Sequence, residues 1–260
     1  MGISYTPGSA YGWRARIGLL QPTMVSDTNP YEFYLMAPPG VQLVLTSLGV
    51  EGMSQESYDK AIANFETPVK RLVARKPDVI MQTGIPPLVT HGWGIEDDLR
   101  ARVAKITPVP YISDAAGCIR AMQALNMKRI VVVSGFNDEL VELIRIYMKH
   151  VGIDVLGHFD VTRATPGEEV GSLPLETIYR AARSIYLRHA EHADGIWITQ
   201  ASIPSVGIID DLEADLGVPV VTSAQALMWA GLRLAAVHTP VSGFGRLFDV
   251  KEFYSRRKSA

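Results

Sequence analysis

Cysteine is almost absent from the sequence, since Cys118 is the only thiol among 260 residues. A single cysteine excludes an intrachain disulfide and any metal cluster built from several thiolates. Long apolar runs are missing too, because stretches such as residues 130–133 are far too short to cross a bilayer. Residues 1–16 contain no apolar signal core. We therefore predict a cytoplasmic protein with no membrane partner.

The motifs that mark nucleotide, ester and metal chemistry are also missing. Neither Gly-x-Gly-x-x-Gly nor Gly-x-x-x-x-Gly-Lys-Ser/Thr occurs. The hydrolase pattern Gly-x-Ser-x-Gly is absent as well. The six histidines form no His-Glu-x-x-His pair or other short metal spacing. A formal net charge of -2 gives no reason to expect nucleic acid as a partner.

What the sequence does contain is an alternation of short apolar runs with amphipathic segments of ten or more residues. Hydrophobic residues make up 47% of the chain and charged residues 20%, as in globular proteins. The alternation predicts parallel α/β units. Two segments depart from this alternation. Residues 23–39 are expected to form a long functional loop, and one helix is expected over residues 54–75, kinked at Pro68.

One strand pattern occurs twice, in residues 77–86 and again in residues 193–204. Each copy has an aspartate, an apolar strand, a Gln/Thr pair, a small residue and then Ile-Pro. Residues 109–113 and 218–222 repeat one another in the same way, each before a predicted helix. We therefore predict two flavodoxin-like lobes related by a pseudo-two-fold axis, with the ligand between them beyond the carboxyl ends of the strands.

The predicted lobes are discontinuous in sequence. The expected segments are an N-terminal arm (1–12), a first lobe (13–113 and 223–250), a second lobe (114–222) and a basic C-terminal tail (251–260). The aromatic arm would lie on the body or on a second subunit, so a homo-oligomer is considered.

The first strand end offers groups suited to a carboxylate ligand. Gly84 after a buried strand lets backbone N–H groups approach a ligand, and the Thr83 hydroxyl adds a donor. An ordinary strand-to-helix turn is the alternative, but the repeat at residues 200–202 favours a site. His91 follows this loop, and histidine is a residue type commonly used for proton transfer. Cys118 falls in a predicted helix among core-facing residues, which is typical of a buried structural thiol.

These residues resemble the arylmalonate decarboxylase and maleate isomerase branch of the Asp/Glu racemase superfamily. The resemblance covers nearly the whole chain beyond the arm, in the following segments: 12–18, 36–38, 81–84, 194–202, 216–223 and 243–249. It implies the two-lobed fold, chemistry without a cofactor or metal, and a small carboxylate as substrate. Racemases and isomerases of the superfamily use a cysteine at each key strand end, and arylmalonate decarboxylase keeps only the second. The resemblance matches these two positions to Gln82 and Gln200.

The resemblance also implies a set of site residues. A glutamine amide can neither supply a proton near neutral pH nor attack a double bond, so the cysteine mechanisms do not carry over. Candidate catalytic residues are Gln82, Thr83, His91, Gln200 and Ser202. Candidate substrate-binding residues are Pro22, Thr23, Ser26, Gly84, Phe136 and Ala201, with Phe136 at a position where arylmalonate decarboxylase has tyrosine.

Three functions are compatible with this set. The first is a lyase that decarboxylates a small carboxylic or dicarboxylic acid, aromatic or not, through an enediolate held by the donor cluster. In it His91 or water would supply the proton. The second is an isomerase or tautomerase of an unsaturated diacid, using His91, Asp27 or Glu32 as the base. The third is a carboxylate-binding protein without catalysis.

Overall fold

The architecture is that of two parallel four-stranded sheets, seen in a computed structural model that describes residues 10–250. Most of the predicted arm and the whole predicted tail lie outside the described residues. The strands are β1 (Ala15–Thr23), β2 (Val41–Val50), β3 (Val79–Gln82), β4 (Tyr111–Ser113), β5 (Arg129–Ser134), β6 (Asp154–Asp160), β7 (Gly195–Ile198) and β8 (Val220–Thr222).

The two sheets have the same topology, β2-β1-β3-β4 in one and β6-β5-β7-β8 in the other. All neighbouring strands are parallel. Every residue of β3 and β7 is buried, as expected for parallel strands with helices on both faces. The predicted α/β fold with two similar parallel lobes is confirmed. The lobe boundaries stay a prediction.

Helices connect successive strands. They are α1 (Thr28–Met36), α2 (Gln55–Ala63), α3 (Glu66–Val73), α4 (Pro86–Val89), α5 (Ile95–Ala104), α6 (Asp114–Ala124), α7 (Asp138–Lys149), α8 (Val161–Ala164), α9 (Leu175–His189), α10 (Ile209–Leu216) and α11 (Ser223–Leu234). Short 3-10 turns occur at Val170–Ser172, Val206–Ile208 and Arg246–Asp249. No helix within residues 10–250 is long and apolar enough to cross a membrane.

The predicted loop at residues 23–39 is wrong, because α1 lies within it. The Asp27 side chain caps this helix by accepting a hydrogen bond from the N–H of Thr28. Pro30 falls in the first turn, where its missing N–H costs nothing. The helix buries polar Asn29 and Glu32 beside apolar side chains, so it lacks the apolar period by which a helix is predicted.

The predicted single helix over residues 54–75 is two helices, and the break precedes the proline. Ser54 caps α2 as predicted, through the N–H of Ser57. Helix α2 ends at Ala63 with Asn64 as its C-cap, four residues before Pro68, and α3 begins at Glu66. A proline ring clashes with the carbonyl four residues back in a continuous helix, and ending α2 at that residue removes the clash. Pro68 itself lies in the first turn of α3.

Helices α6 and α11 pack against one another and join the two sheets. Helix α6 follows β4 of the first sheet and also contacts β8 of the second. Helix α11 follows β8 and also contacts β3 and β4 of the first sheet. The approach is close, because Gly117 of α6 lies against the backbone of Leu227, and Gly231 of α11 lies against the Met81 side chain. The carboxyl ends of both sheets therefore meet beside this helix pair.

The close approach at Gly231 predicts a stability defect in the variant Gly231→Ala. A methyl group there would overlap the Met81 sulfur, which is itself buried. Overpacking of a core costs about 1–3 kcal/mol of unfolding free energy. The measurement is urea denaturation. Gly52→Ala is the matched control, since no atom lies within 4 Å of its added methyl, and an unchanged midpoint for Gly231→Ala would contradict this packing.

Candidate active site

The two copies of the key strand begin in the same way. The Asp78 carboxylate accepts the N–H of Arg16 at 2.7 Å, and the Asp78 N–H donates to the Arg16 carbonyl. At the equivalent place in the second sheet, the Asp194 carboxylate accepts the N–H of Arg129 at 2.8 Å, and the Asp194 N–H donates back to the Arg129 carbonyl. The aspartate that starts each repeat thus fixes its strand to the neighbouring one.

The register of the sheets corrects the way in which the repeats were aligned. Thr83 and Thr199 each donate their N–H to the neighbouring strand, at 2.9 Å in both cases. The next residues, Gly84 and Gln200, are therefore equivalent, and both have positive φ, 100° and 93°. Gln82 instead corresponds to Ile198. The prediction that Gln82 and Gln200 occupy matching strand ends is therefore wrong, because the two residues are offset by two positions. The first copy reads Gln-Thr and the second reads Thr-Gln, so aligning the threonines separates the glutamines.

Gln82 is the last residue of β3, but its side chain lies in the core of the first lobe. Its side chain is fully buried, and its Oε1 accepts a hydrogen bond from the Tyr111 hydroxyl. The neighbouring side chain of Met81 contacts α11. Alternate side chains of a strand point to opposite faces, so Gln82 points away from the helix pair. Its predicted role in orienting a substrate is not supported by this position.

The backbone N–H of Gly84 is already used within the protein. It donates to Oδ2 of Asp114, the first residue of α6, at 3.1 Å. The expectation that this N–H is a free donor is therefore wrong. Pro22 packs against Gly84, since a methyl group on Gly84 would lie 3.0 Å from the Pro22 side chain. Thr83 is buried and its hydroxyl lies 3.5 Å from the carbonyl of Leu20.

The second strand end presents the Gln200 side chain. Its Oε1 accepts the N–H of Gly135 at 2.8 Å. A methyl group on Gly135 would lie 2.9 Å from that same oxygen, so the close approach requires glycine. Because Oε1 is fixed in this way, the orientation of the amide is fixed, and its Nε2 makes no hydrogen bond to any residue between 10 and 250. Gln200 therefore offers an N–H donor and no acid.

Backbone donors follow each positive-φ residue. The N–H groups of Ile85, Ala201 and Ser202 make no hydrogen bond within the part of the chain that the structure describes. Ile85 and Ala201 are equivalent residues, one at each strand end. Pairs of N–H groups at such a turn suit a carboxylate or an oxyanion. Ile85 was missed by the sequence reasoning, because a backbone donor has no side-chain signature.

The remaining predicted residues of the second lobe are at or near the strand end. Ser202 is exposed, and its carbonyl oxygen would lie 3.5 Å from a methyl group on Gly171, as would the Thr28 hydroxyl. Gly171, in the segment after β6, therefore lies close to both Ser202 and the start of α1. Phe136 is buried and donates its N–H to the Ser134 hydroxyl at 3.2 Å.

The predicted residues of the β1–α1 connection have local partners. The exposed Thr23 donates its hydroxyl to the Val25 carbonyl at 2.8 Å. Ser26 is half-buried and accepts a hydrogen bond from the Asn29 amide at 3.3 Å. These contacts shape the connection, and their predicted contact with substrate stays a prediction.

His91 is engaged away from the strand ends. Its Nδ1 lies 2.8 Å from the Pro87 carbonyl, and its Nε2 lies 3.2 Å from a carboxylate oxygen of Asp59 on α2. With both ring nitrogens in these contacts, its predicted role as proton donor is not supported. Cys118 is fully buried, and burial raises the pKa of its thiol well above the usual range. Residues 10–250 contain no cluster of three or more side chains suited to a metal ion.

Glu32 joins the two lobes. This buried carboxylate of α1 accepts the N–H groups of Ser205 and Val206, at the start of the 3-10 turn after β7, the second at 2.9 Å. Burial raises the pKa of Glu32, although these hydrogen bonds act in the opposite direction. Neither Glu32 nor the helix cap Asp27 is a free base, so their suggested role in proton transfer is not supported.

Comparison with known proteins identifies the family. The sequence profile described as arylmalonate decarboxylase matches residues 17–248. The chain belongs to this family. It is 23% identical to the arylmalonate decarboxylase of Bordetella bronchiseptica over 214 residues, which cover 81% of this chain and 88% of that one. It is 24% identical to the maleate isomerase of Nocardia farcinica over 241 residues, 89% of this chain and 94% of that one.

Solved structures of the family have the same fold. A crystal structure of arylmalonate decarboxylase superposes with a TM-score of 0.78 at 20% identity, covering 90% of this chain and 99% of that one. A maleate cis-trans isomerase mutant from Nocardia farcinica, with a covalently bound succinylcysteine intermediate, gives 0.78 at 24% identity, covering 90% and 98%. The curated relatives are enzymes, which agrees with the prediction of a decarboxylase or isomerase and leaves the reaction open between the two.

The raised pKa of Glu32 predicts a pH dependence of stability. Between about pH 4, where the unfolded carboxyl ionises, and the higher folded pKa, the folded protein binds more protons than the unfolded chain. The contribution of Glu32 to stability is therefore full below that window and is lost as pH rises through the folded pKa. Glu32→Gln stays neutral, so its unfolding free energy relative to the wild type should rise with pH.

The measurement is urea unfolding of both proteins from about pH 4 to about pH 8. Glu191→Gln, at an exposed position, is the matched control and should follow the wild type at every pH. A constant difference between Glu32→Gln and the wild type would show that the carboxyl is ionised throughout.

Proposed function

We propose that this enzyme is a lyase that decarboxylates a small dicarboxylic acid, with both carboxyl groups on one carbon, through an enediolate-type intermediate. The observation that carries the proposal is the pair of equivalent strand ends, each with a positive-φ residue followed by an unbonded backbone N–H, at Ile85 and Ala201. The Gln200 amide and the Ser202 hydroxyl add two donors beside the second N–H. These are hydrogen-bond donors for negative charge, without a group that donates a proton.

The donors match the charge that decarboxylation develops. The bond between the α-carbon and the departing carboxyl group breaks, and CO2 leaves without the electron pair. That pair delocalises into the retained carboxylate, giving an enediolate with charge on its oxygens. Donors fixed in advance around those oxygens stabilise the transition state more than the substrate. The α-carbon then takes up a proton, which water supplies in this proposal.

The position of the single thiol favours decarboxylation over isomerisation. The maleate isomerase relative has been trapped as a succinylcysteine, in which a cysteine is bonded to the substrate. Here neither strand end contains cysteine, and Cys118 is buried, with its Sγ 3.3 Å from a carboxyl oxygen of Asp114. The resemblance places Gln200 where the family has its second cysteine. A thiol adduct is thus unsupported, whereas loss of CO2 needs no thiol.

The reaction class is tested by an NMR screen that follows CO2 release and exchange of solvent deuterium into substrate. Malonate, phenylmalonate and maleate are suitable compounds, since they sample the substrate classes named by the relatives. We expect CO2 release from a malonate, with one deuterium in the product. Isomerisation or exchange without CO2 would contradict the proposal. Binding without turnover would indicate a carboxylate-binding protein.

The role of Gln200 is tested by Gln200→Glu. This variant keeps an oxygen for the Gly135 N–H and replaces the donor Nε2 by a second oxygen. Loss of one oxyanion donor costs about a hundredfold in rate, so kcat/KM should fall at least that far at neutral pH. The loss should lessen at acidic pH, where the carboxyl is protonated and donates again. Gln123→Glu makes the same change at an exposed position of α6 and should retain wild-type activity.

Ser202→Ala should reduce kcat/KM by a smaller factor, about tenfold, because the backbone N–H groups remain. Full activity in both Gln200→Glu and Ser202→Ala on a confirmed substrate would rule out this donor set.

A further inference from the structure

A fully buried carboxyl group, that of Asp114, lies between the two strand ends. It is the first residue of α6 and has no exposed surface. Its Oδ2 accepts the N–H of Gly84 at 3.1 Å, and its Oδ1 lies 3.3 Å from the Cys118 sulfur. The Cys118 sulfur in turn lies 3.9 Å from the hydroxyl of Ser223, the first residue of α11. The mechanism proposed above gives the Asp114 carboxyl no role.

The contacts continue to the second strand end. The Ser223 hydroxyl lies 3.2 Å from the Thr199 hydroxyl, and Thr199 directly precedes Gln200. A buried chain of polar contacts therefore runs from Gly84 through Asp114, Cys118 and Ser223 to Thr199. This chain of contacts links the two strand ends next to the N–H donors, because Gly84 directly precedes Ile85 and Thr199 lies two residues before Ala201.

The chain breaks the symmetry of the two lobes. Ser113 and Thr222 occupy equivalent places in the register of β4 and β8, so Asp114 is the counterpart of Ser223. The second lobe uses serine where the first uses aspartate. Gln200, the counterpart of Gly84, has its side chain held by Gly135, whereas Gly84 has no side chain by which it could be held. Asp114 supplies the missing restraint through the backbone.

We propose that Asp114 is a positioning residue that fixes the first strand end and ties it to the second, so that the Ile85 and Ala201 N–H groups address one carboxylate together. Anchoring the Gly84 N–H fixes the plane of the Thr83–Gly84 peptide. Glycine at positive φ has wide conformational freedom, so without that anchor the following N–H of Ile85 has no fixed direction. The inference rests on the proposed function, since it assigns these two groups to the substrate.

The decisive variant is Asp114→Ser, which introduces the residue that the second lobe already has at the equivalent place. Serine is too short to replace the carboxyl oxygen at Gly84, and the packing around Ser223 shows that the fold accepts it beside a strand end. Asp114→Asn is the conservative variant, because its single carbonyl oxygen can still accept the Gly84 N–H. Cys118→Ala is the matched control, because it removes the thiol contact and leaves the carboxyl in place.

The first measurement is amide hydrogen exchange by NMR in the ligand-free proteins. We expect the Gly84 N–H to exchange at least tenfold faster in Asp114→Ser than in the wild type. Cys118→Ala should match the wild type and Asp114→Asn should lie between. Wild-type protection of Gly84 in Asp114→Ser, or equal loss of protection in Cys118→Ala, would overturn the inference. If Asp114→Ser does not fold, Asp114→Asn decides by the same comparison.

The second measurement is titration with phenylmalonate and malonate, following the Ile85 and Ala201 amide resonances. In the wild type both should shift together. In Asp114→Ser the affinity should fall at least tenfold, and only the Ala201 resonance should respond. Joint shifts with wild-type affinity in this variant would overturn the inference. A wild type in which neither resonance responds would refute the proposed donor set, while the exchange measurement would still decide whether Asp114 holds Gly84.

Discussion

The arrangement of the molecule depends on helices α6 and α11, which pack against one another between the two sheets. The carboxyl of Asp114, the first residue of α6, is buried near the start of α11. Each helix leaves the last strand of one sheet and packs against the other, so neither strand end is built by one lobe alone. An unpaired polar group is costly in such an interior. The carboxyl is accommodated because the Gly84 N–H donates to it and the Cys118 sulfur lies 3.3 Å from it. Glu32 makes a second buried connection between the lobes.

The site that results is made largely of backbone. Its donors are the N–H groups that follow Gly84 and Gln200, the two residues with positive φ. Its prominent polar side chain is that of Gln200, which accepts a hydrogen bond from the Gly135 N–H. Donors of this kind are fixed by the fold and need no reorganisation when charge develops. Such donors need no thiol beside them, since they serve the oxyanion and not the proton. The two steps of the proposed decarboxylation therefore have different requirements. Carbon–carbon cleavage requires the oxyanion donors, and water can supply the proton in the second step.

Membership of the arylmalonate decarboxylase family fits this division, because the relatives named for it carry out two reactions on one fold. The features that define the proposed site of this chain are local. Gln200 stands at the second strand end, glycine stands at the first, and an aspartate lies beneath that glycine. One fold can host different reactions, so the reaction of this chain has to be argued from its own site residues.

The sequence by itself determined the fold class, most elements and the two strand ends, because apolar runs, helix caps and an internal repeat are local signals. The repeated segments 77–86 and 193–204 contain β3 and β7, and the segments 109–113 and 218–222 contain β4 and β8. Only the tertiary structure decided the alignment of the repeats. Sheet register equates Gly84 with Gln200, whereas matching letters had equated Gln82 with Gln200.

The tertiary structure also decided which groups are available. Whether the Gly84 N–H is free depends on Asp114, thirty residues away in sequence, and whether His91 reaches the site depends on Asp59 of another helix. Helix α1 was missed because its buried face is partly polar, and that face is explained only by the second lobe, where Glu32 finds its donors. Hydrogen-bond partners distant in sequence leave no trace in residue type or spacing, so composition and periodicity predict the scaffold but not the polar contacts within the site.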